Sequence, residues 1–209
     1  MKVFDAHFDL LSLIAYKRNR GKTHVFKEEL YPHLEKGKVK LLIASLFLEG
    51  EQLHDPFYSA MEQIGCLYEE LRETPELMML VKSKEDLEEC LSSDKIGILL
   101  SFEGAEPLYR PRDLILFYEL GVRLMGLTWS RRNIYADGCD FDGNLKKGGL
   151  SKLGFELIEE ANRLGIIVDA SHLSQESFED VMNLKIPLIA SHSNAYSLTP
   201  TNRCIKDED

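Results

Sequence analysis

Short apolar runs alternate with segments of helical periodicity along this chain, and that alternation constrains its fold more than any other feature. Six runs read as strands: "KVFDAHF", "VKLLIASLFLE" (Val39 to Glu49), "KIGILLSFEG" (Lys95 to Gly104), "VRLMGLTW" (Val122 to Trp129), "IIVDASH" and "PLIASHS". Helices are predicted over Tyr58 to Glu73, from about Pro111 to a stop at Gly121, from an N-cap at Ser151 to Gly165, and over Gln175 to Asn183. "LMMLVKS" reads as a short extra strand, and Ser83 to Asp86 as a capping box for the helix behind it. A polar connection is expected between the first two strands, and a polar, glycine-bearing loop from Ser130 to Gly149.

Strands joined through helices pair in parallel with right-handed crossovers, so the fold predicted is α/β, a TIM-like (β/α) barrel. A complete barrel has eight strands and typically about 250 residues. With 209 residues and about six strands, residues 1–209 read as a single hydrolase barrel domain, incomplete and shortened at the C-terminus, where the chain ends on "KDED".

The balance of 44% hydrophobic residues and a formal charge of −10 describes a globular protein without a basic face for nucleic acid. "YKRNRGK", Tyr16 to Lys22, is the one basic stretch of note and reads as a solvated loop or helix end. Cys66, Cys90, Cys139 and Cys204 stand far apart, as reduced thiols do. The start has no signal-peptide pattern and no apolar run approaches membrane-spanning length, so a cytoplasmic protein without a membrane partner is expected.

Chemistry collects where strands end. In "VFDAHFDL" three ionisable residues, Asp5, His7 and Asp9, alternate along a run that otherwise reads as a buried strand, so they share one face. Buried charge without a partner is costly, which leaves a metal ion, a salt bridge or a wet cleft. Glu103 closes its strand ahead of a glycine, and His172 and His192 sit in two Ala-Ser-His segments separated by one helix. His7, Asp9, Glu103, His172 and His192 together suit zinc or a related divalent ion. Asp5 and Asp169 lie deeper, where an acid either orients a ligand or binds metal. His24, His33 and His54 read as surface residues.

"DAHFDL", "SFEGAEPL", "GVRLMGLTWSRRNIYADG", "GLSKLGFELIEEANRLGIIVDASHLSQESFEDVM" and "PLIASHSNAYSLTPTNR" follow one another in an order that resembles the membrane, or renal-type, dipeptidases of the binuclear-zinc metallopeptidases. The resemblance spans nearly the whole chain. It implies that His7 and Asp9 hold one zinc, that His172 and His192 hold the other, and that Glu103 bridges them. Arg203 matches the arginine that binds the free carboxylate of a dipeptide. The implied reaction is hydrolysis of dipeptides, including those with a D-residue second, by a hydroxide shared between the two zinc ions.

Two departures stand out. Trp129 occupies the place of a histidine that contacts the substrate, so it is either a substrate-binding indole or a packing residue. The acid/base aspartate belongs to a last strand that residues 1–209 do not contain. An open barrel exposes strand edges, so association with a second copy or with a chain supplying the missing strands is expected. Two rivals remain: another amidohydrolase-type barrel, which usually opens H-x-H where this chain has H-x-D, and an inactive metal-binding fragment serving as an assembly module.

Overall fold

The computed structural model describes residues 2–140 and 148–208; residues 141–147 of the predicted Ser130–Gly149 loop and the end of the charged tail lie outside the described residues. Two compact units emerge, one of residues 1–101 with 119–123, the other of residues 102–118 with 124–209. Two strands contribute residues to both.

In the first unit, β1 (Val3–Phe8) pairs in parallel with β2 (Val39–Phe47), β2 with β4 (Ile96–Glu103), and the short β3 (Met78–Leu80) with β4 as well. β2 has no exposed residue, in keeping with its continuous apolar pattern. β1 departs from the buried strand expected. Among the described residues it pairs with β2 alone, and Phe4 is 57% exposed. The strand also runs through Phe8, so His7 lies within it, and only Asp9 follows it, at the N-cap of the next helix.

The predicted polar connection after β1 is instead largely helical. α1 (Leu10–Arg18) is followed by a π-helical turn at Phe26–Leu30 and by α2 (Tyr31–Lys36). α1 buries Leu10, Leu11, Ile14 and Ala15 against β2 and α3 (Pro56–Glu73), two adjacent pairs one turn apart that make an apolar stripe. "YKRNRGK" is accordingly no simple solvated segment. Arg18, half-buried at the end of α1, donates to Glu69 at 2.8 Å, to Glu70, and to both oxygens of Glu73 at 2.9 Å. Glu70, fully buried on α3, also accepts the backbone N–H groups of Val25 and Phe26 at 3.0 and 2.9 Å. One carboxylate thereby pins both ends of the connection to α3. His33 and His54 are exposed as expected, whereas His24 is half-buried and places its backbone N–H on Glu73.

α4 (Lys84–Ser92) starts as its sequence says, with Ser83 Oγ accepting the N–H of Asp86 at 3.1 Å. The reciprocal arm differs from a capping box, because the Asp86 carboxylate accepts from Lys82 N at 2.8 Å.

In the second unit the end of β4 lies beside β5 (Val122–Gly126), and β6 (Ile167–Asp169) and β7 (Leu188–Ile189) follow in parallel. The helix expected from Pro111 is a 3-10 turn, Pro111–Asp113, followed by α5 (Leu114–Glu119). α6 (Lys152–Leu164) begins behind Ser151, whose Oγ accepts from Gly154 N at 3.1 Å, and stops at Gly165, left-handed at φ 76°. α7 (Gln175–Asn183) keeps the predicted limits, capped by Ser174. Phe102 and Phe117 meet edge-on at 4.9 Å in the core of this unit.

Candidate metal centre

Glu103 is the last residue of β4 and is buried. The strand end is fixed by Gly104 N and Ala105 N, which donate to Gly126 O at 3.2 Å and Leu127 O at 3.0 Å. Gly104 turns the chain at φ 101°, and a Cβ there would sit 2.2 Å from Oε2 of Glu106. The glycine after the carboxylate is therefore demanded by its backbone conformation, and a Cβ there would in addition displace the Glu106 carboxylate.

β6 and β7 each stop immediately before an Ala-Ser-His sequence. Asp169 and Ile189 are register partners, and Ala170 N donates to Ile189 O at 2.8 Å, so the two turns leave the sheet side by side. His172 adopts φ 70°, a left-handed conformation that costs a non-glycine residue energy and is held only where the surroundings enforce it.

The two turns bring their imidazoles to Glu103. Oε1 of Glu103 lies 3.1 Å from Nε2 of His172 and 3.4 Å from Nε2 of His192, and the two Nε2 atoms are 2.9 Å apart. Each Nδ1 faces a serine: Ser130 Oγ at 3.0 Å for His172, Ser191 Oγ at 2.7 Å for His192. Burial is the largest influence on His172 and pushes its pKa down, with the Glu103 hydrogen bond opposing. The neutral imidazole this favours is the form that binds metal.

In the first unit, His7 Nε2 lies 3.5 Å from Oδ1 of Asp9, which accepts a hydrogen bond from the buried Ser45 hydroxyl at 2.6 Å. Asp5 accepts the backbone N–H of His7 at 3.2 Å, so its carboxylate fixes the local backbone. Asp169 is buried and accepts Ser171 N at 2.9 Å, Ser191 N at 3.1 Å and the Ser191 hydroxyl. Asp5 thus supports the backbone of its own strand, and Asp169 supports both Ala-Ser-His turns.

Arg203 donates to Ser193 Oγ at 3.0 Å and to the carbonyl of His192 at 2.9 Å, which places its guanidinium next to a proposed ligand. Trp129, half-buried, has its ring 5.9 Å from that of His172. The guanidinium of Arg131 lies 5.4 Å from the Trp129 ring centre, and its Nε lies 3.2 Å from Oε1 of Glu106. Burial raises the pKa of Glu106, and Arg131 opposes the shift. Sequence reading missed Ser45, Ser130, Glu106 and Arg131; single serines and charges at those positions carry no spacing signal. Ser191 was visible in the repeated Ala-Ser-His but not singled out.

Two imidazole nitrogens and a carboxylate oxygen within 3.4 Å of one another are a donor set that fits zinc. The carboxylate can donate from both oxygens, and the serines leave the Nε2 atoms directed at it.

The model of the membrane dipeptidase family, peptidase family M19, matches residues 1–209. The chain belongs to this family. Among curated relatives, dipeptidase aclJ of Aspergillus oryzae is 30% identical over 85% of this chain and 44% of its own length. Dipeptidase tcpJ of Claviceps purpurea is 30% identical over 74% of this chain and 36% of its own. The chain therefore spans less than half the length of these two relatives. A crystal structure of a Rhodobacter sphaeroides metallo peptidase, liganded with a phosphinate mimic of the dipeptide L-Ala-D-Ala, superimposes with a TM-score of 0.88 at 25% identity. It covers 100% of this chain and 69% of that one. Dipeptidase AC, a metallo peptidase of the same family, also gives a TM-score of 0.88, at 27% identity, over 100% of this chain and 68% of its own. The α/β, TIM-like barrel fold read from the sequence, with about six of eight strands, is the fold this M19 likeness shows.

Proposed function

We propose that residues 1–209 form one hydrolase domain that holds two zinc ions and acts on dipeptides. His7 and Asp9 would hold one ion, His172 and His192 the other, and Glu103 would serve both. The observation that carries this reading is the meeting of Glu103 with both histidine Nε2 atoms at the ends of β4, β6 and β7. Membership of the membrane dipeptidase family supports the remaining assignments.

Bound zinc would acidify water and polarise the scissile carbonyl. The chain's own residues supply position. Glu103 offers two oxygens from a rigid strand end, and the Ser130 and Ser191 contacts keep the imidazoles from rotating. Arg203 takes the free carboxylate of the dipeptide in a planar, two-point hydrogen bond. Recognition through that carboxylate leaves the second side chain loosely selected, which accommodates a D-residue there. A relative of the same fold binds a mimic of L-Ala-D-Ala, and this supports the substrate class. Trp129 walls the substrate on the His172 side with a single N–H donor.

Among the described residues no helix is long and apolar enough to cross a membrane. The cytoplasm, and pairing with a second copy or a complementary chain, belong to the same proposal.

A panel of zinc-loaded assays tests it. L,L-dipeptides and dipeptides with a second D-residue are expected to be hydrolysed, and N-acyl amino acids to be left intact. Turnover of the acylated compounds alone would indicate an amidohydrolase, and full zinc loading without any turnover would indicate a metal-binding module.

A further inference from the structure

The two histidines of this centre are held by different devices. His192 Nδ1 lies 2.7 Å from Ser191 Oγ, and the same hydroxyl contacts Oδ2 of Asp169. A carboxylate can only accept, so the one proton on Ser191 Oγ is committed to Asp169. Ser191 must then accept from His192, which places a proton on Nδ1, so that the neutral ring carries its lone pair on Nε2. The same Asp169 reaches further. Its Oδ1 accepts the backbone N–H groups of Ser171 and Ser191, one from each Ala-Ser-His turn, at 2.9 and 3.1 Å. Ser171 Oγ in turn accepts the N–H of His192 at 3.2 Å.

His172 is held otherwise. Its Nδ1 faces Ser130 Oγ at 3.0 Å, and that hydroxyl receives the thiol of Cys139 at 3.5 Å. A hydroxyl supported by a thiol can donate to Nδ1 or accept from it, so this arm does not dictate a tautomer.

We infer that Asp169, acting through Ser191, is a positioning residue that presets His192 as the Nδ1–H tautomer and ties together the two turns that carry the histidines. The inference deepens the metal reading above and rests on it for its purpose. The device is a carboxylate–serine–histidine relay in which the carboxylate never touches the ion. Fixing a ligand's tautomer and angle in advance removes that cost from metal binding, and outer partners of this kind commonly contribute about 10- to 100-fold in affinity.

Two measurements on the full chain test it. Long-range ¹H–¹⁵N spectra of chelator-treated protein should show His192 with its proton on Nδ1. Ser191→Ala should lose that preference and Ser191→Thr, which keeps the hydroxyl, should retain it. Zinc titration against a chromophoric chelator should show Ser191→Ala and Asp169→Asn weakened about 10- to 100-fold, Ser130→Ala weakened less, and Ser191→Thr near the parent. An Nε2–H tautomer at His192 in the parent protein would overturn the inference. Equal zinc affinity in Ser191→Ala and the parent would overturn it as well. If the parent protein takes up no zinc, the metal reading fails, and the tautomer spectra alone decide the relay.

Discussion

Glu103→Ala should cost the protein its metal and, with it, turnover. The carboxylate is the group on which both Nε2 atoms converge, at 3.1 and 3.4 Å. Its loss leaves the two imidazoles without the carboxylate they share. Zinc affinity is expected to fall by more than the roughly 100-fold ascribed to outer-shell partners. Dipeptide turnover should fall at least about 10³-fold, equivalent to about 4 kcal/mol of transition-state stabilisation. His192→Ala should act in the same direction. Glu103→Gln keeps shape and one oxygen acceptor but loses the charge, so it should retain the fold while failing to hold the second ion. Zinc analysis after desalting, alongside unfolding curves, separates loss of metal from loss of fold. A Glu103→Ala protein that keeps its full zinc content would remove Glu103 from the centre.

The second large effect is on stability. Arg18→Ala removes the guanidinium that joins Glu69, Glu70 and Glu73. Glu69 is half exposed, and its pair is worth little. Glu70 is different, because the substitution strands a fully buried carboxylate with only backbone N–H partners among the contacts described above. Breaking a buried ion pair from one side costs about 3–5 kcal/mol, and that is the expected loss in chemical denaturation at pH 7. Arg18→Lys should recover only part of it, since an ammonium cannot serve three carboxylates in one plane.

The same cluster makes the protein sensitive to acid. Hydrogen bonding to Arg18, the largest influence, holds the Glu73 carboxyl down at about 2. A depressed carboxyl pKa contributes stability that is fully present above the unfolded value, near 4.3, and is lost as pH falls from there toward 2. Denaturation midpoints of the parent protein should drop across that window. In Arg18→Ala the drop should be shallower. An Arg18→Ala protein as stable as the parent at pH 7 would show the cluster to be ornamental.

What could be read from sequence follows from how much of each signal is local. Two helices of the second unit were legible to the residue: α6 and α7 have serine caps, a glycine stop after α6 and clear periodicity, so Lys152–Leu164 and Gln175–Asn183 matched expectation, while the strands beside them stop earlier than their apolar runs suggest. The repeated Ala-Ser-His announced His172 and His192 because equal spacing from two parallel strands is itself a geometric statement. Glu103 was legible from its place between an apolar strand and a glycine.

The stretch after β1 was not legible. α1 is only nine residues long, its N-cap residue Asp9 makes no capping hydrogen bond, and its basic end resembles a solvated loop. Arg18 is drawn out of full solvent exposure because Glu70 and Glu73 approach it from α3, a contact more than fifty positions away. Ser45 and Ser130 were invisible for the same reason, since a lone serine gains meaning from what folds against it. The edge position of β1, with Phe4 exposed, likewise depends on which strands pair.

The measurement that bears most directly on the central claim is the zinc content of the protein purified without chelator, taken by elemental analysis with the protein concentration from amino-acid analysis. The account predicts two equivalents per chain, falling when Glu103 or His192 is replaced. A fully folded protein that takes up no zinc, even when dialysed against it, would contradict the account.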